Sequence, residues 1–172
     1  LIFFYLSPRI FAESFYNNKD IIFLSFFIIS LFYAISFLNT PSYKNTFLLS
    51  ITSSLAIATR VMGIIVPCIV LIFFLLRYLE KKSDLKKNIF KIIVFFFLLS
   101  AFTLLFWPYL WNNPINNLLS TFKSMSAYQW SGGIFYLNKY ISALNLPWHY
   151  PIVWILISTP ILYLFLFFLG SI

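Results

Sequence analysis

Apolar runs and polar breaks alternate along this chain. Ile21 to Leu38, Ile89 to Phe106 and Pro151 to Leu169 are dominated by Phe, Ile, Leu, Val, Ala and Ser, with Lys91 the one charged residue among them. Each is close to the ~20 residues that take an α-helix across the hydrocarbon of a bilayer. Residues 1–6 have the character of the end of another such run. Between that end and the first full run lies a polar, aromatic connector, Ser7 to Lys19, containing Pro8, Arg9, Glu13, Tyr16, Asn17 and Asn18. Asp20 opens the run that follows, where an acid suits the positive end of a helix dipole. Asn39-Thr40-Pro41-Ser42 closes it, because Pro does not continue a helix.

Phe47 to Leu76 has two readings. It is longer than one crossing needs and shorter than two full crossings. Arg60 stands near its middle, with Gly63 and Pro67 just beyond. One reading is a single tilted span with a buried Arg; the other is a hairpin of two short arms, 47–59 and 61–76, with Arg60 at the turn. An Arg at the bilayer centre costs at least ~2.5 kcal/mol on insertion scales, and the hairpin avoids that penalty. The choice sets which side of the membrane the 7–20 connector faces.

After the run ending at Phe106 comes a long loop, 107–151, rich in Trp, Tyr, Asn and Pro. Its opening, Trp107-Pro108-Tyr109-Leu110-Trp111, has the residues that collect at headgroup level. Within it, Ile115 to Tyr128 predicts an interfacial helix with Leu118, Leu119 and Phe122 on one face. Ser131-Gly132-Gly133 predicts a turn. Pro160 predicts a kink in the last run.

Composition turns this pattern into a class. Hydrophobic residues make up 62% of the chain and charged residues 9%, against roughly a quarter charged in a soluble domain. So much apolar surface calls for lipid as solvent. The expected fold is all-α: one polytopic transmembrane helical bundle over residues 1–172, with spans near 21–38, 47–59, 61–76, 89–106 and 152–169. The net charge of +8 does not point to nucleic acid. Arg77, Lys81, Lys82, Lys86, Lys87 and Lys91, half of the Lys and Arg, fall in one short segment, which is the signature of a loop held on the cytoplasmic side. The lone Cys68, inside an apolar run, supports neither a disulfide nor a metal cluster. The ends of the chain fit an internal fragment of a larger membrane protein.

The candidate chemistry is sparse. No Ser/His/Asp array, His/Cys cluster or phosphate-cradling Gly loop is present. Glu80 and Asp84 sit among the basic residues as salt partners, which leaves Glu13 and Asp20. Asp20 serves either as a helix-start acid or as a ligand-orienting carboxylate, and Glu13 either pairs with Arg9 four residues back or joins a site. Arg9 and Arg60 have the planar fork that matches phosphate oxygens. For Arg9 the competing role is reaching lipid headgroups; Arg60, inside an apolar run, is a functional candidate by default. His149 is the one histidine and suits an acid/base, metal-ligand or structural role. Trp130 and Trp148 are candidates for stacking on a sugar or lipid, with Trp107 and Trp111 as anchors.

Several segments resemble a known family. Ser7-Pro8-Arg9-Ile10-Phe11-Ala12-Glu13-Ser14-Phe15-Tyr16-Asn17-Asn18-Lys19-Asp20 is similar to the stretch before a span in bacterial family 39 glycosyltransferases, which include relatives of protein O-mannosyltransferases and the lipid A aminoarabinose transferase. Thr59-Arg60-Val61-Met62-Gly63, Phe106-Trp107-Pro108-Tyr109-Leu110-Trp111, and Leu146-Pro147-Trp148-His149-Tyr150 with Ser158-Thr159-Pro160 resemble later segments, in the same order. The resemblance implies a GT-C-type bundle that moves a sugar from a polyprenyl-phosphate donor to an acceptor on the extracytoplasmic face, in a bacterial inner membrane. It also implies the hairpin over 47–76, with Asp20, Arg60 and the long loop on one side. Arg9, Glu13, Asp20, Arg60, Trp130, Trp148 and His149 are then the substrate-binding set. The catalytic base is expected upstream of this chain, so the fragment alone is expected to be inactive. No cofactor is called for, and a divalent cation is left open. The expected partners are the lipid-linked donor and membrane lipid; the acceptor is not identified. Two other classes compete: a transporter or lipid flippase segment, which also places charges and broken helices at mid-membrane, and a structural membrane subunit.

Overall fold

A computed structural model describes residues 7–80, 82–128 and 132–171. It divides into two compact units, one of residues 17–123 and one of 1–16 with 124–172.

The first unit is a helical bundle. Helix α2 (Asn18–Asn39) runs its length and stops before Pro41. Ser42 caps α3 (Tyr43–Thr59), its hydroxyl accepting from the Asn45 N–H at 3.2 Å, as an N-cap serine does for an otherwise unpaired donor. At Arg60 the backbone turns extended (φ −147°, ψ 127°) and enters a short 3-10 turn, Val61–Ile64. Helix α4 (Ile65–Glu80) follows, then α5 (Lys82–Phe106).

The chain reverses at Arg60, as two contacts show. Gly63 lies against the backbone of Ala56 and Ile57, on the helix just left. At the far end of α4, Arg77 donates to the Leu38 carbonyl and, at 2.8 Å, to Asn39 Oδ1. Helices α2, α3 and α4 are therefore antiparallel in turn. Helix α5 starts from the same end as Arg77, where Lys91 Nζ donates to the Pro41 carbonyl at 2.6 Å. One end of the unit thus carries Asn39–Ser42, Arg77 and Lys91; the other carries Asp20, Arg60 and Trp107.

The interior of this unit is small and partly polar. Helix α3 packs against α2 and α5 through Thr46, Ser50, Ser53, Ser54 and Ala56, all fully buried. Ser50 satisfies its hydroxyl on the Thr46 carbonyl at 2.7 Å and reaches the α5 carbonyl of Phe95 at 3.3 Å. Small residues let helix backbones approach closely, the device helices use where lipid leaves no hydrophobic drive between them. Phe37, Leu49, Val66, Val70, Ile92 and Phe95 complete the core.

Large apolar side chains point outward instead, Phe32, Ile35, Phe97 and Leu105 among them. Among the described residues, two helices, Asn18–Asn39 and Asn88–Phe106, are long and apolar enough to cross a bilayer, and only 17% of the apolar stretch of each is buried within the protein. Apolar surface on this scale, facing away from the core, is consistent with a membrane protein.

The second unit holds α1 (Pro8–Tyr16), a β-hairpin of β1 (Gly133–Tyr136) and β2 (Lys139–Ser142), α7 (Tyr150–Ser158) and α8 (Ile161–Gly170). Helix α6 (Pro114–Ser126) ends in it.

Several expectations change. The 7–20 connector is largely helical, because Pro8 fits a first helical position and Ser7 accepts at its carbonyl from the Phe11 N–H. The helix expected over 115–128 forms, as α6 (Pro114–Ser126). The fold is mostly helical but not all-α: strands β1 and β2 pair antiparallel, with Phe135 opposite Tyr140. The reversal falls at Leu137 and Asn138, both at positive φ (48° and 64°), the backbone of a two-residue primed turn. Gly133 opens β1 rather than forming a turn, and Ser131 lies outside the described residues. The run at 152–169 is more than kinked. Helices α7 and α8 meet at 110° across Thr159 and Pro160, with Thr159 extended and Pro160 supplying no N–H. That pair is either a broken span or a re-entrant element, and the break lies at the Pro160 where a kink was expected. The 77–91 segment, expected as a loop, is helical on both sides of residue 81.

Candidate functional site

Asp20 lies in the first turn of α2 and Arg60 at the end of α3. The antiparallel turn brings them together: Arg60 Nη2 forms a salt bridge with Asp20 Oδ1. Asp20's other oxygen, Oδ2, accepts from Asn17 Nδ2. Asp20 is therefore not a backbone cap. Asn17, the residue before α2, makes no side-chain cap bond either and turns its amide to the carboxylate.

Arg60 is itself pinned by its backbone. Its N–H donates to the Ala56 carbonyl at 3.0 Å, and its carbonyl accepts from the Gly63 N–H at 2.8 Å. The side chains of Arg60 and Asp20 are 38% and 45% exposed. An ion pair this open adds about 0–1 kcal/mol to stability. Its larger effect is positional: it holds a guanidinium at one end of the bundle, within reach of solvent.

The same end carries the Trp-Pro-Tyr-Leu-Trp segment. Trp107 packs against the core, and Trp111 Nε1 donates to the Leu104 carbonyl at 2.7 Å, covering an unpaired acceptor at the end of α5. Asn117 Nδ2 donates to the Tyr109 carbonyl at 2.6 Å, and Tyr109 Oη and Ser120 Oγ share a hydrogen bond at 3.1 Å. These bonds fold α6 back onto the turn.

Beneath this end lies an apolar cavity of about 490 Å³ between α4 and α5, roofed by Leu110 and the start of α6. Ile57 and Ile64, which bracket Arg60 in the chain, line it, with Cys68, Phe96 and Thr103. Cys68 is thus an exposed cavity residue, not the buried apolar residue its surroundings in sequence suggest.

The remaining candidates belong to the second unit. Arg9 places its guanidinium 3.6 Å from the centre of the Trp154 ring, a cation–π contact, and makes no ion pair with Glu13. Trp148 is 82% exposed and edges the His149 ring. His149 and Tyr150 both contact Tyr136 of β1, at 5.8 and 5.1 Å between centroids. Tyr136 is buried, yet among the described residues its hydroxyl has no hydrogen-bond partner. Trp130 lies outside the described residues. Asn17, Trp154 and Tyr136 are contributors that the sequence reading did not single out. Asn17 three residues before Asp20 was the one visible signal; Trp154, inside an apolar run, and Tyr136 carried none. Among the described residues, no three His, Cys, Asp or Glu side chains converge.

Comparison of the chain with protein-family models, with curated proteins and with solved structures finds no match.

Proposed function

We propose that this chain is part of a multi-pass membrane glycosyltransferase that uses a polyprenyl-phosphate-linked sugar and works at the extracytoplasmic face. The observation that carries the reading is the Arg60–Asp20 pair, a half-exposed cation fixed at one end of an apolar bundle. A lipid-phosphate donor has a charged head and a long apolar tail. Arg60 matches the head, and the adjoining cavity, bracketed by Ile57 and Ile64, matches an apolar chain. The Trp107–Trp111 segment at the same end suits the headgroup level.

In the reaction, the acceptor hydroxyl oxygen bonds to the anomeric carbon while the bond from that carbon to the phosphate oxygen breaks. The phosphate leaves with the electron pair, and Arg60 stabilises the charge it gains. The acceptor proton goes to a carboxylate base. Asp20, engaged by Arg60 and Asn17, does not fill that role; it orients the cation. The resemblance in segment order to family 39 transferases supports the same assignment.

The test is transfer by the full-length protein in bilayer nanodiscs, assayed against a panel of polyprenyl-phosphate sugars. Arg60→Ala should lose about 100-fold or more in transfer rate, the scale for removing one such charge-stabilising donor, while the protein stays inserted and folded. Normal transfer in that variant removes Arg60 from the site. A second reading, a lipid flippase or transporter, draws on the 110° break between α7 and α8, since broken helices mark transporter sites. Donor that crosses the bilayer with its sugar–phosphate bond intact would favour it.

A further inference from the structure

The β1–β2 hairpin has an inner and an outer face. Along β1, Ile134 is half-buried and Tyr136 buried, while Gly133 and Phe135 are exposed. Tyr136 seats the inner face on His149 and Tyr150, where α7 begins. In an antiparallel sheet bathed by water the outer face is commonly polar. Here it is aromatic. Phe135 and Tyr140 are partners across the strands, their ring centroids lie 5.2 Å apart, and both are exposed. The tip adds Leu137, exposed and at a φ of 48°, a position where Gly, Asn or Asp is usual.

The point of attachment indicates what covers this face. Helix α7 has no buried residue, and together with α8 it is long and apolar enough for a crossing. An element fixed to the first residue of such a helix stands where hydrocarbon gives way to headgroups, the level at which Trp and Tyr collect. Trp148, two residues before α7, is exposed as well. Lys139, beside the tip, is exposed and makes no ion pair among the described residues. A cation next to exposed aromatic rings matches an anionic headgroup. A sugar fits this face less well: the two rings are tilted by 58°, and Gly133, Phe135, Tyr140 and Ser142 offer no carboxylate or amide to fix its hydroxyls.

We infer that the outer face of the hairpin is a membrane-contact surface, bedded through Phe135 and Tyr140 in the headgroup layer of an anionic bilayer, with Lys139 on the lipid phosphates. The inference does not depend on the glycosyltransferase reading. It requires only that α7 enters the bilayer.

The experiment uses the full-length protein in nanodiscs of phosphatidylcholine mixed with phosphatidylglycerol. Phe135 is replaced by 4-fluorophenylalanine, which keeps the ring. Its fluorine signal is read against two relaxation agents, a lipid with a nitroxide on its headgroup and a gadolinium chelate in the water. The lipid agent should relax the signal strongly and the chelate weakly. Discs of phosphatidylcholine alone, a comparison that needs no further variant, should cut the effect of the lipid agent. Lys139→Gln should cut it by up to about fivefold, the worth of one cation near such a surface. Stronger relaxation by the chelate than by the lipid agent would put the face in water and overturn the inference. So would a lipid effect indifferent to both phosphatidylglycerol and Lys139→Gln. Chelate access that closes only when a polyprenyl-phosphate sugar is added would assign the face to the sugar and overturn it too.

Discussion

Gly63→Ala should loosen the turn that carries Arg60. A Cβ at this position would stand 2.6 Å from the Ala56 carbonyl carbon, 2.6 Å from the Ile57 nitrogen and 2.9 Å from the Ala56 oxygen. All three are backbone atoms, so no side chain can swing away. Ordinary carbon contacts begin near 3.4 Å, so the 3-10 turn and α3 must separate by about 0.8 Å. Forcing one extra carbon into a packed contact costs about 1–3 kcal/mol. Against this, Gly→Ala restricts the unfolded chain and stabilises by about 0.4–1 kcal/mol where the site tolerates it. The steric term wins, leaving a net loss of about 1–2 kcal/mol. For a chain of this size that lowers Tm by roughly 2–8 °C. The same separation strains the Gly63 N–H bond to the Arg60 carbonyl (2.8 Å), so, on the phosphate-binding role proposed for Arg60, affinity for a polyprenyl phosphate should fall with stability. The assay is thermal unfolding of the purified protein in one detergent, with Gly170→Ala as control. A Cβ at Gly170 meets nothing within 4 Å, so that variant should melt at or above the parent temperature. If Gly63→Ala melts together with Gly170→Ala, the close approach of the turn to α3 is wrong, and with it the reversal of the chain at Arg60.

Two further outcomes follow from the geometry. Arg77→Met keeps the aliphatic stem but removes the donors to the Leu38 carbonyl and Asn39 Oδ1; amide exchange in the last turn of α2 should quicken about 5- to 10-fold, from a loss near 1 kcal/mol, and unchanged exchange would show that Arg77 does not tie α4 to α2. Tyr136→Phe removes a buried hydroxyl that has no partner among the described residues, so stability should hold or rise by up to about 1 kcal/mol, and a Tm drop beyond about 4 °C would show that the hydroxyl is engaged.

The parts of this protein that hydropathy governs were readable from sequence. The runs at 21–38 and 89–106 stand in the structure as α2 and α5, because long apolar helices declare themselves by length alone. The 47–76 run did not declare itself. Its length fitted both one crossing and two arms, and the deciding contact, Gly63 on Ala56 and Ile57, is tertiary. The Arg9–Glu13 spacing suggested an ion pair, but Trp154 of α7 gives Arg9 an aromatic face instead. An exposed i,i+4 pair is worth only about 0.3–0.5 kcal/mol, so a neighbouring Trp easily displaces it. The β-hairpin was missed because its turn residues, Leu137 and Asn138, lack the glycine that usually marks a primed turn. The 110° break at Pro160 exceeded the expected kink because Thr159 leaves the helix as well. Pro alone bends a helix; with its neighbour extended, the two helical segments become separate.

The meeting of Asp20 and Arg60 follows from helix lengths more than from attraction between charges. From Asp20 to Asn39, helix α2 rises about 28 Å at 1.5 Å per residue. Residues 40–42 reverse the chain, and α3 from Tyr43 to Thr59 returns about 24 Å. Arg60 therefore arrives within about one helical turn of the level of Asp20 before any ion pair forms. The gain from the pair, about 0–1 kcal/mol at this exposure, is too small to have placed it. Adding or removing one residue in α3 would rotate Arg60 by about 100° and take it out of reach, without altering a single charge. On this reasoning the seating of α3 between α2 and α5, through the capped turn at Ser42 and the buried Ser50, Ser53 and Ser54, is what builds the cationic site, and the salt bridge only selects the rotamer that Arg60 adopts there.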